Sequence, residues 1–187
     1  NFYCTAKNLN DNFSCIGPRF QDEKNIKQSD IRKEIAKISI SGAAMFFNTQ
    51  RFDEIKGFDE NFFLFFEEFD LCRRVLKKGG KIYASKKLYV KHLGHKGSAI
   101  VDPKYEKESN FLRSWHWMWS SFYYYEKNFS YIYAIKCMCG KFFRSLIKMV
   151  YYRIFYDSVK FTMYYGRVCG IWNRLIGKKS WYRLKTN

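Results

Sequence analysis

The sequence predicts a mixed α/β portion over residues 1–101 and a helical, basic and aromatic portion over residues 102–187. Two observations separate them. Residues 1–102 carry 18 basic and 13 acidic side chains, a net charge of +5, whereas residues 103–187 carry 16 basic and 4 acidic, a net of +12. The second portion also holds 24 of the 39 aromatic residues. A chain of 187 residues is long enough for one domain with a real core, or for a small domain with an appendage.

The elements follow in chain order. Asn12 to Phe20 has a short apolar centre closed by Gly17-Pro18, so it reads as a strand running into a turn. Residues 21–34 are polar and charged, a surface loop or short helix. Ile35 to Asn48 is strand-like on both sides of Gly42, and a glycine in such a run marks a bulge or a close approach of backbone to a ligand. Thr49 to Lys56 reads as a short helix, capped by Thr49 or Asn48 and ended by Gly57. Glu67 to Lys78 is a helix with acids in its first turn and Arg73, Arg74, Lys77 and Lys78 behind them, the order that suits the helix dipole. Lys81 to Ser85 and Leu88 to His92 read as two strands. Asp102-Pro103 is an N-cap followed by proline at the first helical position, opening a helix to about Tyr125. More helix is expected from Phe129 to about Tyr165.

The net charge of +17 suits a polyanionic partner, either nucleic acid or anionic lipid headgroups. No stretch reaches the ~18 uncharged apolar residues that a membrane span requires. Lys141, Arg144 and Lys148 follow three- and four-residue spacing among aromatic residues. That pattern fits a helix lying in a membrane interface, and equally a helix that packs its aromatics on the domain and turns its lysines to water. The six cysteines show no Cys-x-x-Cys spacing, so they read as reduced, mostly buried thiols of a cytosolic protein.

The densest chemical cluster lies at Gly57 to Arg74, where five acids, Asp59, Glu60, Glu67, Glu68 and Asp70, fall within residues 59–70 among phenylalanines. Carboxylates beside aromatic surface are candidates for raised pKa values and general-base work. An ordinary structural role also fits: acids favour helix N-termini, and Asp70 and Arg74 are spaced for a surface ion pair.

The arrangement as a whole resembles family 2 glycosyltransferases of the GT-A type, especially rhamnosyltransferase-like members. The matching pieces are Ser41-Gly42-Ala43, Gly57-Phe58-Asp59-Glu60, Glu67-Glu68-Phe69-Asp70-Leu71-Cys72-Arg73-Arg74, Gly80-Lys81-Ile82-Tyr83 and His92-Leu93-Gly94, in the family's order and spacing. Ser14 to Arg19 looks like the family's strand after the nucleotide-binding part, and Trp115 to Ser120 is similar to a helix that follows the catalytic domain. The resemblance implies an α/β fold, the C-terminal half of a GT-A fold followed by a helical extension. It implies an inverting enzyme that moves a sugar, rhamnose being one candidate, from a nucleotide-sugar donor to a saccharide or lipid-linked acceptor in bacterial cell-surface polysaccharide synthesis. The expected location is cytoplasmic, at the inner face of the plasma membrane.

By the same resemblance Glu68 is the candidate general base, Asp70 helps to hold the acceptor, and Glu67 is a lesser candidate for the base. If the helix has already begun at Glu67, then Glu67, Asp70 and Arg74 share one face and Glu68 does not. Gly42 would let the backbone approach the donor, and Arg74 would offset pyrophosphate charge. His92 maps to a histidine that joins a divalent metal in related enzymes, Mn²⁺ more readily than Mg²⁺. The family holds its metal mainly through an Asp-x-Asp motif in a Rossmann-like first half, and this sequence contains neither. The chain is therefore expected to be a fragment that does not turn over substrate alone. The rival expectation is a non-enzymatic module that binds nucleic acid or an anionic membrane. No nucleic-acid-binding motif is present, and the carboxylates would repel phosphate, so a nucleic-acid partner is not expected.

Overall fold

Residues 1–9, 13–20, 35–36, 40–90 and 105–183 are described by the computed structural model, and they divide into two units. The first comprises Asn1–Asp59 and Glu67–Gly97, and the second Glu60–Phe66 and Ser98–Asn187.

In the first unit the elements are α1 (Phe2–Asn8), β1 (Cys15–Phe20), β2 (Ile35–Ala36), β3 (Phe46–Phe47), α2 (Thr49–Glu54), α3 (Glu67–Lys77) and β4 (Ile82–Val90). The strands form one sheet in the order β2-β4-β1-β3. β1 and β4 run parallel, with Cys15 opposite Ile82 and Ile16 opposite Tyr83. β3 lies antiparallel to β1, and β2 antiparallel to β4. Alternation along the central strands sends side chains to both faces. Cys15 and Ile82 join Ile40, Ile55, Leu71, Cys72 and Val75 in one cluster, which packs α3 and the end of α2 on the sheet. Ile16 and Leu88 meet Ala6 and Phe13 in another, with Phe2, Phe46 and Tyr83 against it, so α1 covers that side.

Two strand boundaries differ from the sequence reading. Gly17-Pro18 does not end β1; the strand continues to Phe20 across an irregularity between Gly17 and Arg19. Proline lacks the N–H a ladder needs, and a bulge is where a strand can accept it. Lys81–Ser85 and Leu88–His92 are not two strands over their described residues but parts of β4. The break survives as extra residues in β4, since Gly17 faces Ala84 while Arg19 already faces Tyr89. Gly80 admits β1 to this ladder: a Cβ there would collide with the Ser14 hydroxyl, whose backbone N–H bonds to the Lys81 carbonyl at 2.8 Å.

Both short helices form where expected. Asn48 caps α2, its side-chain oxygen accepting from the Arg51 N–H at 3.3 Å. Gly79, at φ +75°, ends α3.

The second unit is built on α4 (Glu106–Asn128), α5 (Tyr131–Ile154) and α6 (Ser158–Leu175). The helix expected from Phe129 to about Tyr165 is two helices, because Tyr156 turns into the left-handed region at φ +57° and Asp157 caps α6. The proposed N-cap at Asp102-Pro103 and the segment 21–34 lie outside the described residues. Met118, Phe122, Ala134, Met138 and Ile171 form the centre of the bundle. α4 and α6 approach closely because α6 carries Gly166 and Gly170. A Cβ on Gly166 would stand 2.7 Å from the Phe111 carbonyl oxygen, and one on Gly170 would collide with the Trp115 carbonyl.

The segment Glu60–Phe66 groups with these helices in the second unit. Its phenylalanines account for this. Phe62 packs on Tyr123, Phe63 on His116, and Phe65 and Phe66 on Trp117. The Leu64 carbonyl accepts from the Ser120 hydroxyl at 2.7 Å. A C-terminal strap closes the other side of α4. Trp119 Nε1 donates to the Lys178 carbonyl at 2.9 Å, and His116 Nε2 donates to the Tyr182 carbonyl at 2.8 Å.

Candidate functional site

The candidate site lies in the first unit, at the N-terminus of α3. The chain reaches it through Phe65 and Phe66, both in the left-handed region at φ +66° and +70°. Two consecutive side-chain-bearing residues there cost on the order of 1 kcal/mol each. Their ring contacts with Trp117 hold the turn. Glu67 and Glu68 are the first residues of α3, where the exposed helix N–H groups favour negative charge.

Both carboxylates converge on Gly42. A Cβ on that glycine would stand 3.6 Å from Glu68 Cβ, 3.8 Å from its carboxyl carbon and 4.0 Å from Glu67 Oε1. The loop bearing Gly42 is folded locally, with Ser41 Oγ accepting from the Ala43 N–H at 3.3 Å. Oε2 of Glu67 and Oε2 of Glu68 are each buried without a hydrogen-bond partner. Burial pushes the Glu68 carboxyl above the usual carboxylate range, opposed by a backbone hydrogen bond and reinforced by the neighbouring Glu67. A half-buried carboxylate with a raised pKa and a free oxygen is equipped to accept a proton from a bound hydroxyl.

The sequence grouped Glu67 with Asp70 and Arg74, apart from Glu68. The structure instead pairs Glu67 with Glu68 at Gly42, because in the first helical turn both side chains reach the same loop. Asp70 is fully buried, and its Oδ2 accepts from Arg74 Nε at 2.8 Å. Arg74 Nη1 donates to the Ile55 carbonyl at 2.5 Å. Lys78 Nζ donates to the Glu54 carbonyl at 2.7 Å, so Arg74 of α3 and Lys78 just beyond it satisfy open carbonyls at the C-terminal end of α2. Asp70 and Arg74 thus brace α3 against α2.

Among the described residues, no three His, Cys, Asp or Glu side chains come together to hold a metal ion. Glu67 and Glu68 would supply only two ligands, and His92 lies outside the described residues.

The six cysteines are free, but only Cys15 and Cys72 are buried; Cys137 and Cys169 are half-buried, and Cys4 and Cys139 exposed. Burial pushes both Cys15 and Cys72 thiols up, which leaves them unreactive packing groups beside the site helix. Sequence reasoning missed the paired left-handed turn at Phe65 and Phe66, which carries no glycine or asparagine signal. It also missed Arg167, which α6 brings beside Lys141, Arg144 and Lys148.

No family model, curated protein or solved structure matches the chain.

Proposed function

We propose that the Glu67–Glu68 pair is the proton-accepting centre of an inverting glycosyltransferase, of which this chain is the acceptor-side part. The observation that carries the proposal is the convergence of two carboxylates, each with an unpartnered buried oxygen, on the glycine of the Ser41-Gly42-Ala43 loop. The ordered likeness of five sequence pieces to family 2 glycosyltransferases supplies the reaction class.

In this reading Glu68 accepts the proton of an acceptor hydroxyl as its oxygen attacks the anomeric carbon of the donor sugar. The bond from that carbon to the phosphate oxygen breaks, and the nucleoside diphosphate leaves with the bonding electrons. Burial raises the pKa of Glu68, and charge repulsion from Glu67 adds to it. Asp70 and Arg74 act as positioning residues that fix the angle of α3. Gly42 places no side chain of its own against the carboxylates. The donor is a nucleotide sugar, with dTDP-rhamnose one candidate, and the acceptor is a saccharide or a lipid-linked saccharide. The resemblance, and nothing else, suggests the cytoplasmic face of the plasma membrane as the location. Among the described residues no helix is long and apolar enough to cross a membrane.

The test is release of nucleoside diphosphate from a panel of nucleotide sugars. It is run with the longer polypeptide that this reading requires, in which a donor-binding portion precedes the chain, and with the 187-residue chain alone. Acceptor-dependent release by the longer polypeptide, absent from the chain alone, is the expected result. Transfer by the chain alone would overturn the fragment reading, and no release from any donor by the longer polypeptide would overturn the assignment.

A further inference from the structure

We infer that the helical unit holds a phosphate-binding cavity on one flank of α5, built to take the headgroup phosphate of a membrane lipid. The cavity, about 360 Å³, is lined by Met118 of α4, Lys141, Arg144, Ser145 and Lys148 of α5, and Tyr164 and Arg167 of α6. Four cations therefore face one space from two helices. Among the described residues, no carboxylate pairs with any of them, whereas elsewhere in this unit Lys160 pairs with Asp157 and Arg174 with Glu126.

The cations are ordered by neutral groups. Lys148 Nζ donates to the Tyr164 hydroxyl at 3.2 Å and lies 5.2 Å from the centre of its ring. Arg167 sits 5.0 Å from the same ring, and Lys141 lies 5.6 Å from the ring of Tyr125. Aromatic faces hold cations in place without neutralising them. Like charges gathered with no counter-charge repel one another, and an anion with several acceptor oxygens relieves that repulsion while using the spare N–H donors.

The surface around the cavity points to the lipid source rather than a free anion. Ile132, Phe143, Val150 and Ile154 of α5 are exposed at 67%, 56%, 50% and 63%. Helical spacing puts them within about 40° of one another, roughly 140° around α5 from the three basic residues. Ile147 and Tyr151, also exposed, fill the arc between. An apolar stripe bordered by a cationic edge is the pattern of a helix that lies in a bilayer interface, where the edge meets the phosphates. The inference does not rest on the transferase reading, because its test reads lipid binding and not turnover.

The experiment is co-sedimentation of the 187-residue chain, at low ionic strength, with phosphatidylcholine vesicles carrying either phosphatidic acid or oleate, matched in surface charge. A phosphate cavity predicts clear preference for phosphatidic acid, whereas diffuse attraction predicts equal binding. Arg144→Gln and Arg167→Gln should each weaken that binding about fivefold. Lys107→Gln removes the same charge from α4, outside both the cavity and the apolar stripe of α5, and should change it less than about twofold. Arg144 is exposed, so its substitution leaves folding intact, as a thermal melt would verify. Equal binding to oleate vesicles, or equal loss in all three variants, would overturn the cavity. Binding of inorganic phosphate or single-stranded RNA without binding of phosphatidic acid vesicles would overturn the lipid assignment.

Discussion

Glu68 stands directly against Gly42: a Cβ built on the glycine would be 3.6 Å from the Glu68 Cβ and 3.8 Å from its carboxyl carbon. That spacing is ordinary van der Waals contact, so alanine fits without strain, while a branched side chain would occupy the space above the carboxylates. Gly42→Ala should therefore keep most transfer activity. Gly42→Leu should lower it at least about tenfold, with an unchanged melting temperature. Steady-state kinetics beside a thermal melt check this, and full activity of Gly42→Leu would show that no substrate passes over the glycine.

In the proposed reaction Glu67 acts through charge. Its carboxylate adds to the upward displacement that burial imposes on Glu68. Glu67→Gln removes that contribution, so the acid limb of the pH–rate profile, on which Glu68 loses its proton, should move to lower pH. A pH profile of kcat for the variant measures the displacement, and a limb that moves upward or stays fixed contradicts the pairing.

Asp70 and Arg74 form a buried brace, and breaking it leaves a guanidinium without its counter-charge. Asp70→Asn should lower the free energy of unfolding by about 3 kcal/mol. Denaturant unfolding followed by circular dichroism checks the value. A variant of wild-type stability but weakened acceptor binding would instead return Asp70 to the acceptor-holding role that the resemblance implies.

His116 ties the C-terminal strap to α4. It is fully buried, with Nε2 donating to the Tyr182 carbonyl and Nδ1 accepting from the Ser180 hydroxyl at 3.2 Å, an arrangement that only the neutral ring can make. Burial holds its pKa down, from 6.5 to about 4, and nearby Arg183 adds to the effect. The unfolded chain takes up the proton first, so stability is full above about pH 6.5 and falls as the pH drops towards about 4. The loss approaches about 3 kcal/mol at the lower end. Unfolding midpoints across this range should show the slope in the wild type and lack this component in His116→Phe. A slope of equal size in both would place its origin elsewhere.

Much of this architecture was legible in the residues themselves. The acid-to-base order of Glu67 to Lys78 announced α3, and Asn48 and Gly57 bracketed α2, because capping and dipole effects act within a few residues. Other features depend on contacts far apart in sequence. Gly17-Pro18 signals a turn locally, yet pairing with β4 carries the strand through it. Gly166 and Gly170 look like helix weakeners until α4 is laid against them. The grouping of the acids changed for the same reason: helical spacing sets Glu68 apart from Glu67, and only the position of the Gly42 loop brings the two together.

Glu68 is the residue proposed to take the acceptor's proton. Glu68→Gln keeps the side chain's shape and removes its basicity, which tests the claim most directly. Its burial disfavours the charged form, so the variant should be at least as stable as the wild type at neutral pH, the difference closing as the pH falls to the usual carboxylate range. The decisive measurement is single-turnover sugar transfer by Glu68→Gln in the longer polypeptide, with donor affinity measured alongside. The account predicts a loss of about 100-fold or more in the transfer step with donor affinity unchanged. Transfer at the wild-type rate would contradict it.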